Sequence, residues 1–151
     1  MSIEELMRND WVLLSGTTIF CRVCYFTEDG KLVGKTMGGG AFVKKAECFS
    51  PIELTQDAIL CTPFWLARKG VFKKTVRGVA VFVYEVEKRR LVVQSLCQDF
   101  VNIHYIGFMH ELQHLYRHYT GKALEIDMAH SKRKEYSKKY RKRGNVLRPD
   151  E

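Results

Sequence analysis

The chain has 151 residues, of which 46% are hydrophobic and 12% aromatic, and its formal net charge is +8. This length suits one domain with its own core, and the hydrophobic content excludes the composition of a disordered protein. Its apolar runs, such as 79–84, are far shorter than the ~20 residues that span a bilayer, so we expect a soluble protein without membrane contact.

The first residues and the cysteines indicate the compartment. Glu4 and Glu5 stand where a secretory signal would carry basic residues before an apolar core, which predicts a protein that is not exported. Five cysteines, an odd number without framework spacing, are then expected to be reduced thiols. Both features favour the cytoplasm.

Antiparallel strands are predicted for the first half of the chain, which alternates polar and apolar residues and turns often. Segments 11–14 and 17–26 are rich in apolar, β-branched and aromatic residues. The next turn ends in Gly30, which tolerates the positive φ of a hairpin, and 31–37 returns from it. A fourth strand is expected at 41–43, after three glycines.

The middle of the chain predicts a short helix and a second hairpin. Thr55 can accept hydrogen bonds from the free amides of a helix at about 56–60. Segments 79–86 and 91–96 have strand composition, and the polar residues 87–90 connect them. We therefore expect these two segments to pair.

A longer helix is predicted at about 102–119, where apolar residues recur at three- and four-residue spacing around Leu112. Gly121 would end this helix as a left-handed cap. The following residues, 122–128, are expected to form a last strand or an extended segment packed on the body.

These elements predict one α+β domain at 1–130, in which a small antiparallel sheet or SH3-like barrel from 9–47 and 71–96 packs against one main C-terminal helix. Residues 131–151 hold nine Lys or Arg and three acids, a net charge of +6, whereas the preceding 130 residues carry only +2. We therefore expect a nearly neutral body followed by a basic tail.

His110, Glu111 and His114 match the H-E-x-x-H pattern of zinc peptidases. Histidines four apart on a helix can bind one Zn²⁺, with the glutamate as general base for the bound water. No third ligand follows at the spacing of the metzincin continuation. Both histidines also fall about 160° from Leu112 around the helix, so we expect them to face solvent and to bind no metal. A zinc hydrolase that uses these three residues is the enzyme alternative.

Two weaker patterns favour structural roles. Cys21 and Cys24 form a C-x-x-C pair, but side chains three apart on a strand point to opposite faces, so we expect small buried thiols rather than a zinc or redox pair. The glycines at 38–40 lack the Gly-Lys-Ser/Thr of a phosphate-binding loop and predict a flexible loop.

The basic tail is the candidate for binding. Its cations would neutralise phosphates without regard to sequence, and its two tyrosines, one helical turn apart, would stack on bases. An acidic protein surface would suit it equally, and a solvated charge run that aids solubility is the remaining interpretation. The candidate contact residues are Lys132, Arg133, Lys134, Tyr136, Lys138, Lys139, Tyr140, Arg141, Lys142 and Arg143.

Three short motifs follow one another along the chain. They are Asn-x-Trp-Val at 9–12, Ser-Pro-Ile-x-Leu-Thr at 50–55, and His-Glu-Leu-Gln-x-Leu-Tyr at 110–116 with Thr-Gly at 120–121. In this order and spacing they resemble a family of uncharacterised Bacteroidetes phage and prophage proteins. The resemblance implies a mobile-element context, in the cytoplasm of a bacterial host, and assigns no activity to any residue.

We therefore expect a non-enzymatic accessory protein of a phage or mobile element, which acts as a binding module for nucleic acid or an acidic protein partner and uses no cofactor. Two alternatives stand beside it. One is the zinc-dependent hydrolase at His110, Glu111 and His114, and the other is a structural protein of a phage particle.

Overall fold

A computed structural model of the chain describes residues 1–96 and 101–128. This part contains two five-stranded antiparallel sheets and two α-helices, which is an α+β architecture. The sequence predicted one sheet or barrel, and the structure has two sheets. The predicted basic tail, 131–151, lies outside the described residues.

The first sheet is an antiparallel meander whose last strand returns beside its first. Its strands are β1 Trp11–Leu14, β2 Phe20–Phe26, β3 Lys31–Thr36, β4 Ala41–Lys45 and β5 Phe49–Pro51. The spatial order is β4-β3-β2-β1-β5, and a single 3-10 turn precedes β5. The first four strands were predicted, whereas β5, whose three residues end in a proline, was not. Gly30 has a φ of 81°, as the predicted β2–β3 hairpin requires.

The second sheet is a meander in simple chain order. Its strands are β6 Trp65–Arg68, β7 Val71–Val76, β8 Ala80–Glu85, β9 Arg90–Ser95 and β10 Val101–Tyr105. The β8–β9 hairpin confirms the predicted pairing of 79–86 with 91–96. The prediction that a helix begins at about 102 is wrong, because Val101–Tyr105 pairs with β9 as an edge strand. The polar and apolar residues of this strand alternate with a period of two, which is the period of a strand.

Two helices complete the described fold. Helix α1, Gln56–Ile59, begins as predicted, because the Thr55 side chain accepts a hydrogen bond from the Ala58 amide. Helix α2, Met109–Thr120, ends at Gly121, which has a left-handed φ of 72° as predicted. The residues that follow α2 form no strand up to 128, and they pack on the body through Leu124 and Met128, which are buried. No helix in the described ranges has the length and apolar character needed to cross a membrane.

Two hydrophobic cores lie on opposite faces of the first sheet. The main core fills the space between the second sheet and the helices, and fully buried members include Phe72, Phe82, Tyr84, Leu91 and Leu112. The smaller core lies on the other face of the first sheet, around Val12, Val23, Leu32 and Phe49. Trp11, Leu13 and Phe20 pack against the main core and so join the first sheet to the rest of the molecule.

Candidate functional site

Helix α2 is fixed to the start of β1 by one buried glutamine. The side-chain oxygen of Gln113 accepts a hydrogen bond from the Trp11 amide at 2.9 Å, and its nitrogen donates to the Asn9 carbonyl at 2.8 Å. The amide group thus pairs with the backbone as a neighbouring strand would. Asn9 has a left-handed φ of 77°, a conformation that asparagine adopts more readily than most residues.

A buried carboxylate joins the same segment to the next residue of α2. Asp10 is only 1% exposed, and its Oδ2 atom accepts hydrogen bonds from the Met7 amide at 2.8 Å and from Nε2 of His114 at 2.7 Å. Because a buried carboxylate without partners is costly, these two donors are what stabilise Asp10 in the interior. His114 is partly exposed, and its ring is held by the carboxylate.

His110 lies deeper than His114. It is 6% exposed, its ring stacks on Phe108 at 6.1 Å, and it meets the ring of His114 edge-on at 5.6 Å. Its Nδ1 atom is buried without a hydrogen-bond partner in the described structure. Burial lowers the pKa of His110, with the charge of His114 acting in the same direction and that of Asp10 opposing it.

The prediction that both histidines face solvent is therefore wrong for His110, which is buried, and His114 is only partly exposed. Helix α2 is covered on two sides, because Leu112 faces the main core while the two histidines face the segment before β1. The apolar stripe in the sequence predicted the contact of α2 with the main core. The contact of α2 with the segment before β1 is polar, and a search for one apolar face cannot detect it.

The H-E-x-x-H residues make structural contacts in the described part of the chain. The Glu111 carboxylate accepts hydrogen bonds from the Gly107 and Phe108 amides, both at 3.1 Å, so it caps α2 instead of serving as a base. Nε2 of His114 is occupied by Asp10. Within residues 1–96 and 101–128, no group of three or more His, Cys, Asp or Glu side chains is placed to hold a metal ion.

A narrow cleft opens beside the Asp10–His114 pair. Arg8 from the N-terminal segment and Arg117 from α2 line it, both are exposed, and neither forms an ion pair with a described residue. The volume open to the centre of a water molecule is about 10 Å³, which is room for about one water. The full lining is Met7, Arg8, Asn9, Asp10, Gln113, His114, Arg117, Ala123 and Leu124.

A second positively charged surface lies on the outer half of the first sheet. On one face of strands β2, β3 and β4 the register places Arg22 opposite Lys35, Tyr25 opposite Val33, and Lys31 opposite Lys45. Residues i and i+2 of a strand share a face, and the β-bulge between Val23 and Tyr25 brings Tyr25 to the side of Arg22, so all of these side chains project from the same side. We call this surface the basic face; its members are Arg22, Tyr25, Lys31, Lys35, Val43 and Lys45.

The basic face is open and little neutralised. Tyr25 is 57% exposed and Val43 is 60% exposed, and Arg22, Lys35 and Lys45 are also exposed. Lys31 pairs with Asp29 at 3.5 Å, whereas the other three cations form no ion pair within the described ranges. Asp29 also accepts a hydrogen bond from Thr27, which is the main cause of its lowered pKa.

The other residues singled out in the sequence have structural positions. Cys21 is buried in the smaller core and Cys24 is partly buried at a β-bulge, so these thiols do not face one another as a metal-binding pair. Gly39 has a φ of 94° in the β3–β4 turn, as expected for a loop glycine. The tail residues from Lys132 to Arg143 lie outside the described residues.

Sequence reasoning missed the basic face and the role of Asp10. The Lys-x-Val-x-Lys alternation of β3 contains part of the first signal, but the opposing cations of β2 and β4 appear only once the register is known. Comparisons with known protein families, with curated proteins and with solved structures gave no match.

Proposed function

We propose that this protein is a non-enzymatic binding module that contacts nucleic acid through the basic face, together with the basic tail. The observation that carries the proposal is the register of β2, β3 and β4, which sets Arg22 opposite Lys35 and Lys31 opposite Lys45. Like charges directly opposite each other on a sheet are unfavourable for folding. A polyanion bound across the face would offset that repulsion.

The spacing and chemistry of the basic face favour a nucleic acid over an acidic protein. Lys31 and Lys35 stand four residues apart on β3, which is about 13 Å along the strand, so they form an extended row of charges rather than a single site. Tyr25 stands exposed in the same surface, where its ring would stack on a base. Stacking plus phosphate neutralisation is the combination used to bind single strands without sequence preference.

The first sheet supports an SH3-like barrel, although over other residues than the 9–47 and 71–96 expected from the sequence. Strand β5 returns to pair with β1 after one 3-10 turn, in the order β5-β1-β2-β3-β4, which is the connectivity that such a barrel requires. The sheet also has a core of its own around Val12 and Leu32. We infer that residues 11–51 form an SH3-like unit, on which the second sheet and α2 are packed.

The cellular setting is part of the proposal. The resemblance to Bacteroidetes phage and prophage proteins supports a mobile-element accessory protein in the cytoplasm of a bacterial host. The net charge of +6 in 131–151 adds to the attraction for phosphates. In this account the tail supplies affinity that does not depend on sequence, and the basic face supplies a fixed surface that orients the strand.

Fluorescence anisotropy with mixed-sequence DNA and RNA oligonucleotides, single-stranded and duplex, tests the proposal. The full chain should bind, and its affinity should fall steadily between about 50 mM and about 200 mM salt because released counterions drive the association. A chain that ends at residue 130 should bind more weakly and keep part of the salt dependence. Absence of salt-dependent binding to every oligonucleotide would overturn the proposal, and selective binding to polyglutamate would transfer the same surface to an acidic protein partner.

A further inference from the structure

The cleft beside α2 is lined by three nitrogen-bearing side chains and by one carboxylate that already accepts two hydrogen bonds. Asp10 is buried and accepts hydrogen bonds from the Met7 amide and from His114. Arg8 and Arg117 line the mouth of the cleft and have no acidic partner among the described residues. The two guanidinium groups outnumber the single carboxylate of Asp10, so the cleft has an excess of positive charge.

The orientation of His114 leaves one ring nitrogen for a ligand. Nε2 is bonded to Asp10 at 2.7 Å, so Nδ1 is the remaining nitrogen. Nδ1 has no hydrogen-bond partner in the described structure. Among the described residues, the only side-chain nitrogen or oxygen that is both fully buried and without a partner is Nδ1 of His110, so Nδ1 of His114 is not fully buried. When the ring is protonated, Nδ1 is a hydrogen-bond donor that is fixed in direction by the carboxylate behind it.

The size of the cleft limits what it can accept. The space that the centre of a water molecule can reach in the cleft is about 10 Å³. This space is too small for a sugar or a base, but it suits one oxygen of a small anion. Guanidinium groups match the geometry of phosphate oxygens and bind them by two parallel hydrogen bonds. Two such groups in one cleft favour phosphate over an uncharged ligand.

The start of β1 connects the cleft to the basic face. Trp11, whose amide is bonded to Gln113 of α2, lies directly opposite Arg22 in the first sheet. Arg22 in turn lies opposite Lys35, so β1 alone stands between this cation pair and the backbone contact with α2. A nucleic-acid strand that lies across the basic face would place its next phosphates at the cleft.

We propose that the cleft is a binding site for a single phosphate group, which accepts hydrogen bonds from His114, Arg8 and Arg117. The identification of this group as a backbone phosphate of a bound strand rests on the proposed function. The same chemistry would also bind free phosphate, so the two sources need separate titrations.

Nuclear magnetic resonance of the full chain tests the site directly. Inorganic phosphate should shift the His114 ring resonances and the side-chain amide of Gln113 along a saturable curve. Arg117→Gln and Arg8→Gln should each weaken this binding about tenfold, since each removes a charge-assisted contact. Arg77→Gln, in the exposed β7–β8 turn, is the matched control and should leave the curve unchanged. Resonances of His114 that do not move, or curves that are identical in all three variants, would overturn the site.

A second titration with an oligonucleotide separates this inference from the proposed function. Saturable shifts at His114 with both phosphate and oligonucleotide support a backbone-phosphate site. Shifts with inorganic phosphate alone, in a chain that binds no oligonucleotide, would keep the phosphate site and overturn the proposed function. Oligonucleotide binding that moves Arg22 and Lys35 resonances but never His114 would keep the function and overturn the site.

Discussion

Nε2 of His114 and Oδ2 of Asp10 lie 2.7 Å apart although the two residues are separated by 104 positions in the chain. Together with the Gln113 amide, this hydrogen bond holds α2 against the segment that leads into β1. The polar side of the helix is therefore a structural contact, and it also shapes the cleft proposed to bind phosphate.

Removing the Asp10 carboxylate should destabilise the fold. Asp10→Ala leaves the Met7 amide and His114 without their buried acceptor, which should lower the free energy of unfolding by about 2–3 kcal/mol. Urea denaturation measures the change, and Glu28→Ala, at an exposed turn position, is the control with almost no effect. Equal midpoints for the two variants would contradict a structural role for the carboxylate.

Truncation of the apolar side of α2 should cost more. Leu112 is fully buried in the main core, so Leu112→Ala should lower the free energy of unfolding by about 2–5 kcal/mol through the cavity that it leaves. His118→Ala, on the exposed side of the same helix, should change it little. Because His114 bonds to Asp10, it is not a neutral control for this helix. A large effect of His118→Ala would mean that the helix is turned differently.

Burial of His110 predicts a dependence of stability on pH. Its pKa is lowered in the folded state, chiefly by burial, so the folded protein favours the neutral ring. The contribution of His110 is then complete above the ordinary pKa of an unfolded histidine, about 6.5, and is lost as the pH falls through that value toward the lower folded pKa. Wild type should therefore lose more stability between about pH 7.5 and about pH 5 than His110→Gln does.

Denaturant midpoints measured at several pH values test this dependence. The matched control is His118→Gln, which changes an exposed histidine on the same helix and should keep the wild-type slope. The same slope in His110→Gln would show that His110 titrates alike in the folded and unfolded states.

The zinc alternative makes a separate prediction. Tag-free protein should contain no stoichiometric zinc by elemental analysis, because Glu111 caps the helix and His114 is bonded to Asp10. Dialysis against a chelator should leave the thermal midpoint unchanged. A content of about one zinc per chain in the wild type, lost in His114→Ala, would restore the hydrolase hypothesis.

Local signals predicted most of the individual elements. Thr55 caps α1, Gly30 makes the β2–β3 turn and Gly121 ends α2, because each acts through its own backbone or its nearest neighbours. Strand β10 was missed because Tyr105 and Phe108 happen to fit the helical spacing of the residues that follow. Its true partner is β9, and that pairing depends on strand register, which local spacing does not report.

The candidate site was harder to predict because it depends on contacts distant in sequence. His110 and His114 were identified as notable, but their partner Asp10 comes from the other end of the chain. Arg22 and Lys35 become neighbours only through the β2–β3 register. A composition-based reading finds the charge of 131–151 more easily, since that charge is contiguous in sequence.

Reversal of two charges on the basic face tests the central claim most directly. In the full chain, Arg22→Glu combined with Lys35→Glu removes one of the opposed cation pairs, while Lys69→Glu combined with Arg77→Glu makes the same change of net charge at exposed turns between strands of the second sheet. Oligonucleotide affinity is measured by fluorescence anisotropy over a range of salt concentrations. We predict that the first variant binds more weakly than the second and loses about 2 from the slope of log affinity against log salt. Equal affinities and equal slopes in the two variants would contradict a nucleic-acid contact at the basic face.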